Sequence, residues 1–168
     1  MAQDEGRFGR VSIPRRAWAP PGVRPRAPRQ LVREYTYVYA VVAPEAGKMT
    51  SLILPAANTA MMNLFLEHVS HTFADYFLVM QVDRAGWHRA KDLVVPANMR
   101  LIFQPACSPE LNPVEHVWED LREKYLPNRA FLSLDEVINA VCDGLLELEA
   151  DPERLRSMTC FPHFRTVS

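Results

Sequence analysis

The segment LIFQPACSPELNPVEHVWEDLREKYL, residues 101–126, joins the end of a strand to the start of a helix through a proline-rich turn. Its apolar run ends at Gln104. Asn112 and Pro113 then form a typical helix start, because Asn caps a helix and Pro suits the first helical position. Glu115 falls in the first helical turn. A carboxylate so close to a buried strand either caps the helix or takes part in chemistry.

The rest of the chain predicts an α/β fold with a mixed sheet flanked by helices. A hairpin comes first, then a helix from Asn58 or Thr59 to about Phe73. An almost continuous apolar run follows and is typical of a strand covered on both faces. A last helix opens at the Ser133–Glu136 capping box. The predicted strands are residues 34–44, 48–54, 76–82 and 99–103. This order predicts antiparallel strands first and parallel strands afterwards.

Length and charge limit the choice of function. A chain of 168 residues with 48% hydrophobic residues is most simply one domain with its own core. The net charge of −1 identifies no partner, but residues 1–34 carry eight arginines and three acids. Residues 14–30 are rich in proline and predict an extended arm. Such a basic arm indicates nucleic-acid binding or, equally, a solvated surface segment.

The cysteines and the apolar segments indicate a cytoplasmic protein. Cys107, Cys142 and Cys160 lie far apart, with no metal-binding spacing, and are expected to be reduced thiols. No signal peptide is evident after Met1. No apolar run is long enough to span a membrane, so no membrane partner is expected.

Two carboxylates follow neighbouring predicted strands. Asp83 ends the apolar run 76–82, and Glu115 follows the next strand. Functional sites of α/β sheets lie at the carboxyl ends of strands, so these acids are expected on one rim. Asp83 could instead cap a turn, and Glu115 could cap its helix. Two acids on one rim suit acid–base chemistry or a hard cation; a third acid, Asp4 or Glu5, would favour the cation.

Three segments together resemble a known family. They are DEGRFG at residues 4–9, DRAGWH at 83–88 and QPACSPELNPVE at 104–115. In this order they are similar to the motifs of bacterial insertion-sequence transposases of the mariner-like DDE/D superfamily. Residues 39–44 and 53–55 fit as well, so the resemblance covers nearly the whole chain.

The resemblance implies a ribonuclease H-like fold in which Asp4, Asp83 and Glu115 are the catalytic and metal-binding residues. Two Mg²⁺ or Mn²⁺ ions would support DNA strand cleavage and strand transfer during transposition. The implied partners are the DNA of the transposon ends and target, and further copies of the chain assembled on DNA. An upstream-encoded DNA-binding segment is a further expected partner.

Six other residues are expected to support the site or contact DNA: Glu5, Arg7, Arg84, His88, Arg89 and Asn112. His88 either contacts DNA, orients the Asp83 loop or is a structural turn residue. Arg84, beside Asp83, either competes with cations or clamps a phosphate. Trp118 is interpreted as a core residue.

The resemblance also sets the expected domain limits. Residues 1–34 are interpreted as a shortened first strand and a basic arm, 35–156 as the catalytic domain and 157–168 as a tail. No helix-turn-helix domain is expected in the chain, which is interpreted as a catalytic fragment. Three alternatives stay open: an inactive remnant that binds DNA or a full-length partner, a nuclease acting on RNA–DNA hybrids, and, as the weakest, a two-carboxylate glycosidase.

Overall fold

The computed structural model describes residues 1–11 and 14–161 of the chain. Within them lie five strands, four α-helices and two short 3₁₀ helices. The strands are β1 (Ala2–Val11), β2 (Leu31–Ala43), β3 (Lys48–Leu54), β4 (Leu78–Val82) and β5 (Met99–Phe103). The helices are α1 (Thr59–Thr72), α2 (Val114–Lys124), α3 (Leu134–Glu149) and α4 (Pro152–Thr159), and the 3₁₀ helices are Gly86–Arg89 and Pro109–Leu111.

The strands form one mixed sheet in the order β3-β2-β1-β4-β5. Strands β1, β2 and β3 pair antiparallel, whereas β4 is parallel to both β1 and β5. This arrangement confirms the predicted α/β fold with antiparallel strands followed by parallel ones. It places β1 in the centre of the sheet.

The sheet separates two apolar cores, because side chains alternate between its faces. Ala2 and Phe8 of β1 face a core built with α2, α3 and α4. Tyr39 and Val41 of β2 face the opposite core, which is built with α1. The chain around β1 is therefore covered on both sides.

Strand β1 begins at Ala2 and extends well beyond Asp4. β1 has ten residues because it continues beyond Asp4 and pairs with β2 as far as Val11. Strand β2 begins at Leu31, so the expected boundary between residues 34 and 35 lies inside a strand. Residues 14–30 contain no helix or strand, in agreement with the proline-rich pattern.

The expectation that β4 is covered on both faces is wrong. Leu78, Met80 and Val82 are buried against the α1 side, but Val79 is 47% exposed on the other face. Ile102 of the neighbouring β5 is also half exposed. Because α2 and α3 pack on β1, they leave this part of the second face open.

Local capping chemistry explains the helix starts. Asn58 accepts a hydrogen bond from the amide of Met61 at α1, and Ser133 does the same for Glu136 at α3. Helix α4 was not predicted, although Asp151 caps it and proline follows at the first position. It runs across the expected boundary between residues 156 and 157, and residues 162–168 lie outside the described part of the chain.

In the described ranges, no helix is both long enough and apolar enough to cross a bilayer. The three cysteines are free thiols in the structure, as expected from their spacing.

Candidate active site

The register of two parallel strands brings Asp4 and Asp83 together. Ala2 of β1 pairs with Gln81 of β4. Two residues further along these strands come Asp4, inside β1, and Asp83, directly after β4. Adjacent parallel strands thus place two carboxylates side by side near the carboxyl end of β4, where sites of α/β sheets are found.

The turn before α2 fixes Glu115 relative to β1. Asn112 is buried, and its Nδ2 donates to the carbonyl oxygen of Gln3 at 3.2 Å. Its Oδ1 accepts a hydrogen bond from the amide of Val114 at 3.2 Å. One side chain therefore ties the start of α2 to the residue before Asp4. Glu115 lies in the first turn of the helix, as predicted.

All three carboxylates line one open cleft of about 290 Å³. Arg84, Gln104 and the turn from Pro105 to Pro109 complete its walls. Within residues 1–11 and 14–161, no three His, Cys, Asp or Glu side chains already converge closely enough to hold a metal ion. The three carboxylates therefore line the same cleft, but their side chains are not arranged as a complete set of metal ligands.

Asp4 is held in a largely buried position. Its Oδ2 accepts a hydrogen bond from Nε1 of Trp118 at 3.0 Å. Burial, with the nearby charges of Glu115 and Glu5 added to it, raises the pKa of Asp4 to about 7 against the lowering effect of the Trp118 bond. A carboxylate in these surroundings is stabilised in its charged form by a cation.

Asp83 is oriented through one of its two oxygens. Its Oδ1 accepts a hydrogen bond from the amide of Ala85 at 2.8 Å and lies 2.7 Å from Nδ1 of His88. The hydrogen bond from His88 lowers the pKa of Asp83 and keeps it ionised. Among the described residues, none donates to Oδ2 of Asp83, so that oxygen remains available to a ligand.

Glu5 anchors this arrangement on the opposite face of β1. Its Oε1 accepts hydrogen bonds from Gln3 and Trp87 and lies 2.9 Å from Nε2 of His88. Burial lowers the pKa of His88, but the hydrogen bonds to Asp83 and Glu5 outweigh it and raise the pKa to about 9. His88 is therefore a charged bridge between two acids, and its burial keeps it away from any bound DNA.

The three expected arginines take different positions. Arg84 lines the cleft, and its Nε donates to the carbonyl oxygen of Gln104 at 2.9 Å. Arg7 stacks on the ring of Tyr35, outside the cleft. Arg89 is exposed at the end of its 3₁₀ helix.

The sequence analysis missed the contact of Trp118 with Asp4. Trp118 is buried, as predicted for a core residue, yet its indole nitrogen also holds a site carboxylate. The signal was present, because Trp118 lies three residues after Glu115 and thus on the same helix face.

The side chains of the cleft fit a hard divalent cation. Three carboxylates provide oxygen ligands only, which Mg²⁺ and Mn²⁺ prefer. Burial, and then the charges of Glu115 and Glu5, raise the pKa of Asp4, and a bound cation would favour its charged form. The cleft is also open, which leaves room for water and a phosphate.

A mixed sheet with β1 at its centre and acids at the ends of its parallel strands defines a ribonuclease H-like nuclease domain. Residues 1–138 match the family described as DDE superfamily endonuclease, and the chain belongs to that family. This membership confirms the predicted endonuclease class. A relative from Sinorhizobium fredii (strain NBRC 101917 / NGR234), named "Uncharacterized protein y4pE/y4sA", is 36% identical over 125 residues, which cover 74% of this chain and 93% of that protein.

Solved structures of the Mos1 transposase share the fold. The Mos1 strand transfer complex superposes with a TM-score of 0.61 and 16% identity over 95% of this chain. The Mos1 mariner paired-end complexes with Mn and with Mg give TM-scores of 0.59 and 0.56, at 16% and 17% identity over 95% and 94% of this chain. The matches cover 53%, 55% and 55% of those chains, so this chain spans about half of their length.

Proposed function

We propose that this chain is the catalytic domain of a transposase, which cleaves DNA strands and joins them to a target during transposition. Asp4, Asp83 and Glu115 are its catalytic carboxylates. The observation that carries the proposal is that these three acids, distant in sequence, line one cleft. Family membership and the shared fold with Mos1 transposase support it.

The same carboxylates would hold two Mg²⁺ or Mn²⁺ ions. Mos1 complexes are described with Mn and with Mg, and the oxygen-only side chains of this cleft suit the same ions. Such ions, when bound, polarise the scissile phosphate and activate water or a DNA 3′-hydroxyl for in-line displacement. The partners are the DNA of the transposon ends and target, together with further copies of the chain.

The site residues have separate tasks in this proposal. Asp83 is kept ionised and oriented by His88, which leaves its Oδ2 directed to a ligand. Asp4 is held by Trp118, and Glu115 is placed by the turn that Asn112 secures. The chain supplies no covalent nucleophile to the reaction, because water and the DNA hydroxyl fill that role.

Metal-linked stability tests the proposal. Thermal unfolding is followed during a Mn²⁺ titration, in the presence of a short DNA duplex, for the wild type, Asp83→Asn and Asp75→Asn. A ligand that binds only the native state adds about 2.7 kcal/mol at about 100 times its dissociation constant. We expect the midpoint to rise in the wild type and in Asp75→Asn, whose exposed side chain lies outside the cleft, and not in Asp83→Asn.

Plasmid nicking in Mn²⁺ is measured on the same three proteins. Nicking by the wild type and by Asp75→Asn, with none by Asp83→Asn, is the expected result. A wild type that unfolds cooperatively, gains no stability from Mn²⁺ and leaves the plasmid intact would contradict the proposal. The alternative of an inactive, DNA-binding remnant would then be favoured.

A further inference from the structure

A second cavity, of about 210 Å³, lies beside the strand that carries Asp4. Four arginines line it: Arg7, Arg15, Arg122 and Arg129. Among the residues that the structure describes, no acid contributes to its lining. We call it the arginine cavity, and none of its four cations lines the carboxylate cleft.

Three of these guanidinium groups are held by aromatic rings. The Cζ atom of Arg7 lies 4.7 Å from the ring centre of Tyr35. Arg122 lies 5.2 Å from the ring centre of Phe8, and Arg129 lies 4.7 Å from that of Phe131. Stacking fixes the plane of a guanidinium and leaves its N–H groups free to donate.

The positive charge of the cavity is poorly neutralised. Within the described residues, no acid lies within 4.0 Å of Arg7, Arg122 or Arg129, and Arg15 has only a 3.9 Å contact with the exposed Glu123. Burial lowers the pKa of Arg122 and its neighbour Arg15 lowers it further, whereas the charges of Glu115, Asp4 and Glu119 raise it. Converging cations of this kind are stabilised by an anion.

Helix α2 contributes a residue to each cavity: Glu115 to the carboxylate cleft and Arg122 to the arginine cavity. Glu115 and Arg122 lie seven residues apart on α2, so they share a helix face and are separated by about 10 Å along the axis. Phe8, under Arg122, packs edge-on against Trp118 with 5.7 Å between ring centres. Trp118 in turn donates to Asp4. Packing through the buried Phe8 and Trp118 therefore links the wall of the arginine cavity to Asp4.

We propose that the arginine cavity binds a backbone phosphate of the DNA on which the carboxylates act, an inference that rests on the proposed function. A separation of about 10 Å along α2 places this phosphate within a few nucleotides of the scissile one. Arginine forks match the oxygens of a phosphate. The ligand is a phosphate and not a stacked base, because guanidinium groups already cover the ring faces of Tyr35, Phe8 and Phe131.

The salt dependence of DNA binding tests this proposal. Anisotropy of a fluorescein-labelled DNA duplex in EDTA gives the dissociation constant between about 50 and 200 mM salt. We expect Arg122→Gln and Arg7→Gln each to reduce the slope of log affinity against log salt by about 1, which is the loss of one phosphate contact. Arg122→Lys should keep most of the slope but weaken binding, because it retains the charge and loses the fork.

Arg156→Gln is the matched control. Arg156 lies on α4, and its Nε donates to the carbonyl oxygen of Glu45, away from both cavities. Its replacement removes the same charge and should leave the slope unchanged. Urea unfolding of each variant separates loss of binding from loss of fold, and the exposed Arg7 provides a substitution outside the core.

Two results overturn the assignment. The first is a slope in Arg122→Gln and Arg7→Gln equal to that of the wild type and Arg156→Gln. The second is a slope change seen with an RNA duplex and absent with DNA. Binding in EDTA needs no catalysis, so an inactive carboxylate site leaves the expected slope change intact. Conversely, if the wild type nicks plasmid but the arginine variants show unchanged slopes, only the phosphate assignment of the arginine cavity is rejected, and the proposed function stands.

Discussion

The Nε2 atom of His88 lies 2.9 Å from Oε1 of Glu5, and both side chains are almost completely buried. The other ring nitrogen, Nδ1, lies 2.7 Å from Asp83. Glu5 is on the central strand, next to Asp4. Strand β1 therefore carries Asp4 itself and contacts Asp83 through Glu5 and His88. We therefore propose that His88 and Glu5 act as positioning residues for Asp83.

His88→Gln should reduce metal affinity and strand cleavage about 10–100-fold, as is typical when a residue behind a metal ligand is replaced. Asp83 then loses its strongest orienting contact while the carboxylate itself remains. The apparent dissociation constant for Mn²⁺ and the kcat of nicking measure this effect. If His88→Gln lowers stability but leaves the Mn²⁺ affinity of the folded fraction unchanged, the role of His88 is purely structural and the positioning role is refuted.

The matched control for this change is His71→Gln. His71 lies on α1, is exposed and has only a 4.0 Å contact with Glu67. Its substitution makes the same chemical change, histidine to glutamine, at a position outside the cleft. We expect wild-type Mn²⁺ affinity and nicking in His71→Gln.

The charged state of His88 predicts how stability changes with pH in metal-free buffer. Its folded pKa of about 9 exceeds the ordinary 6.5. The folded protein therefore binds the extra proton more tightly. The resulting stabilisation is complete below about pH 6.5, is lost as the pH rises through about 9 and amounts to about 3 kcal/mol. Its source is the pair of acids facing the ring, Glu5 and Asp83.

Urea unfolding at about pH 6 and about pH 9.5 in EDTA measures the difference in unfolding free energy. The wild type should be less stable at the higher pH. His88→Gln should lose most of this difference, because it cannot gain or lose the proton. Equal pH dependence in the two proteins would show that His88 is not the titrating group.

Much of this fold follows from local sequence signals. The bounds of β5, Met99–Phe103, and the start of α3 after Ser133 agree with the sequence prediction, because strand propensity and capping act over a few residues. Asp83 and Glu115 were both expected near the ends of strands. The proximity of Asp4 needed the resemblance, since it depends on the pairing of β1 with β4.

Other features depend on contacts that no local pattern reveals. The bond between Glu5 and His88 joins residues 83 positions apart. The apolar run ending at Val82 does not indicate that Val79 is exposed, because hydrophobicity alone cannot tell which helices cover a sheet face. Similarly, the stacking of Arg122 on Phe8 follows from how α2 crosses β1.

A missing side chain at Gly6 makes room for the indole that holds Asp4. A Cβ atom at Gly6 would lie 2.7 Å from Phe8 and 2.9 Å from Trp118, both closer than real contacts allow. Gly6→Ala should therefore displace Trp118 and weaken its bond to Asp4. We expect a loss of about 1–3 kcal/mol in the free energy of unfolding.

Urea unfolding followed by tryptophan fluorescence measures this loss. Gly86→Ala is the control, because a Cβ at Gly86 meets nothing within 4 Å. That variant should match the wild type or gain slightly, since alanine restricts the unfolded chain. A Gly6→Ala protein as stable as Gly86→Ala would mean that Trp118 is not confined by β1.

Asn112 offers a last test of how the turn places Glu115. Asn112→Ala removes the bond to the Gln3 carbonyl and the acceptor of the Val114 amide, and leaves a buried carbonyl without its donor. We expect a loss of about 1–3 kcal/mol in unfolding free energy. Because the start of α2 is then released from β1, nicking should fall by more than the loss of folded protein explains.

Asn63→Ala provides the comparison for Asn112→Ala. Asn63 on α1 also makes two bonds, donating to the carbonyl of Asp92 and accepting from the amide of Val94. Its loss should lower stability and leave the kcat of the folded fraction unchanged, since α1 packs away from the cleft. The kcat of plasmid nicking, normalised to folded protein, is measured for both variants. If both lower it equally, Asn112 acts on stability alone; a decrease confined to Asn112→Ala means that the turn sets the position of Glu115.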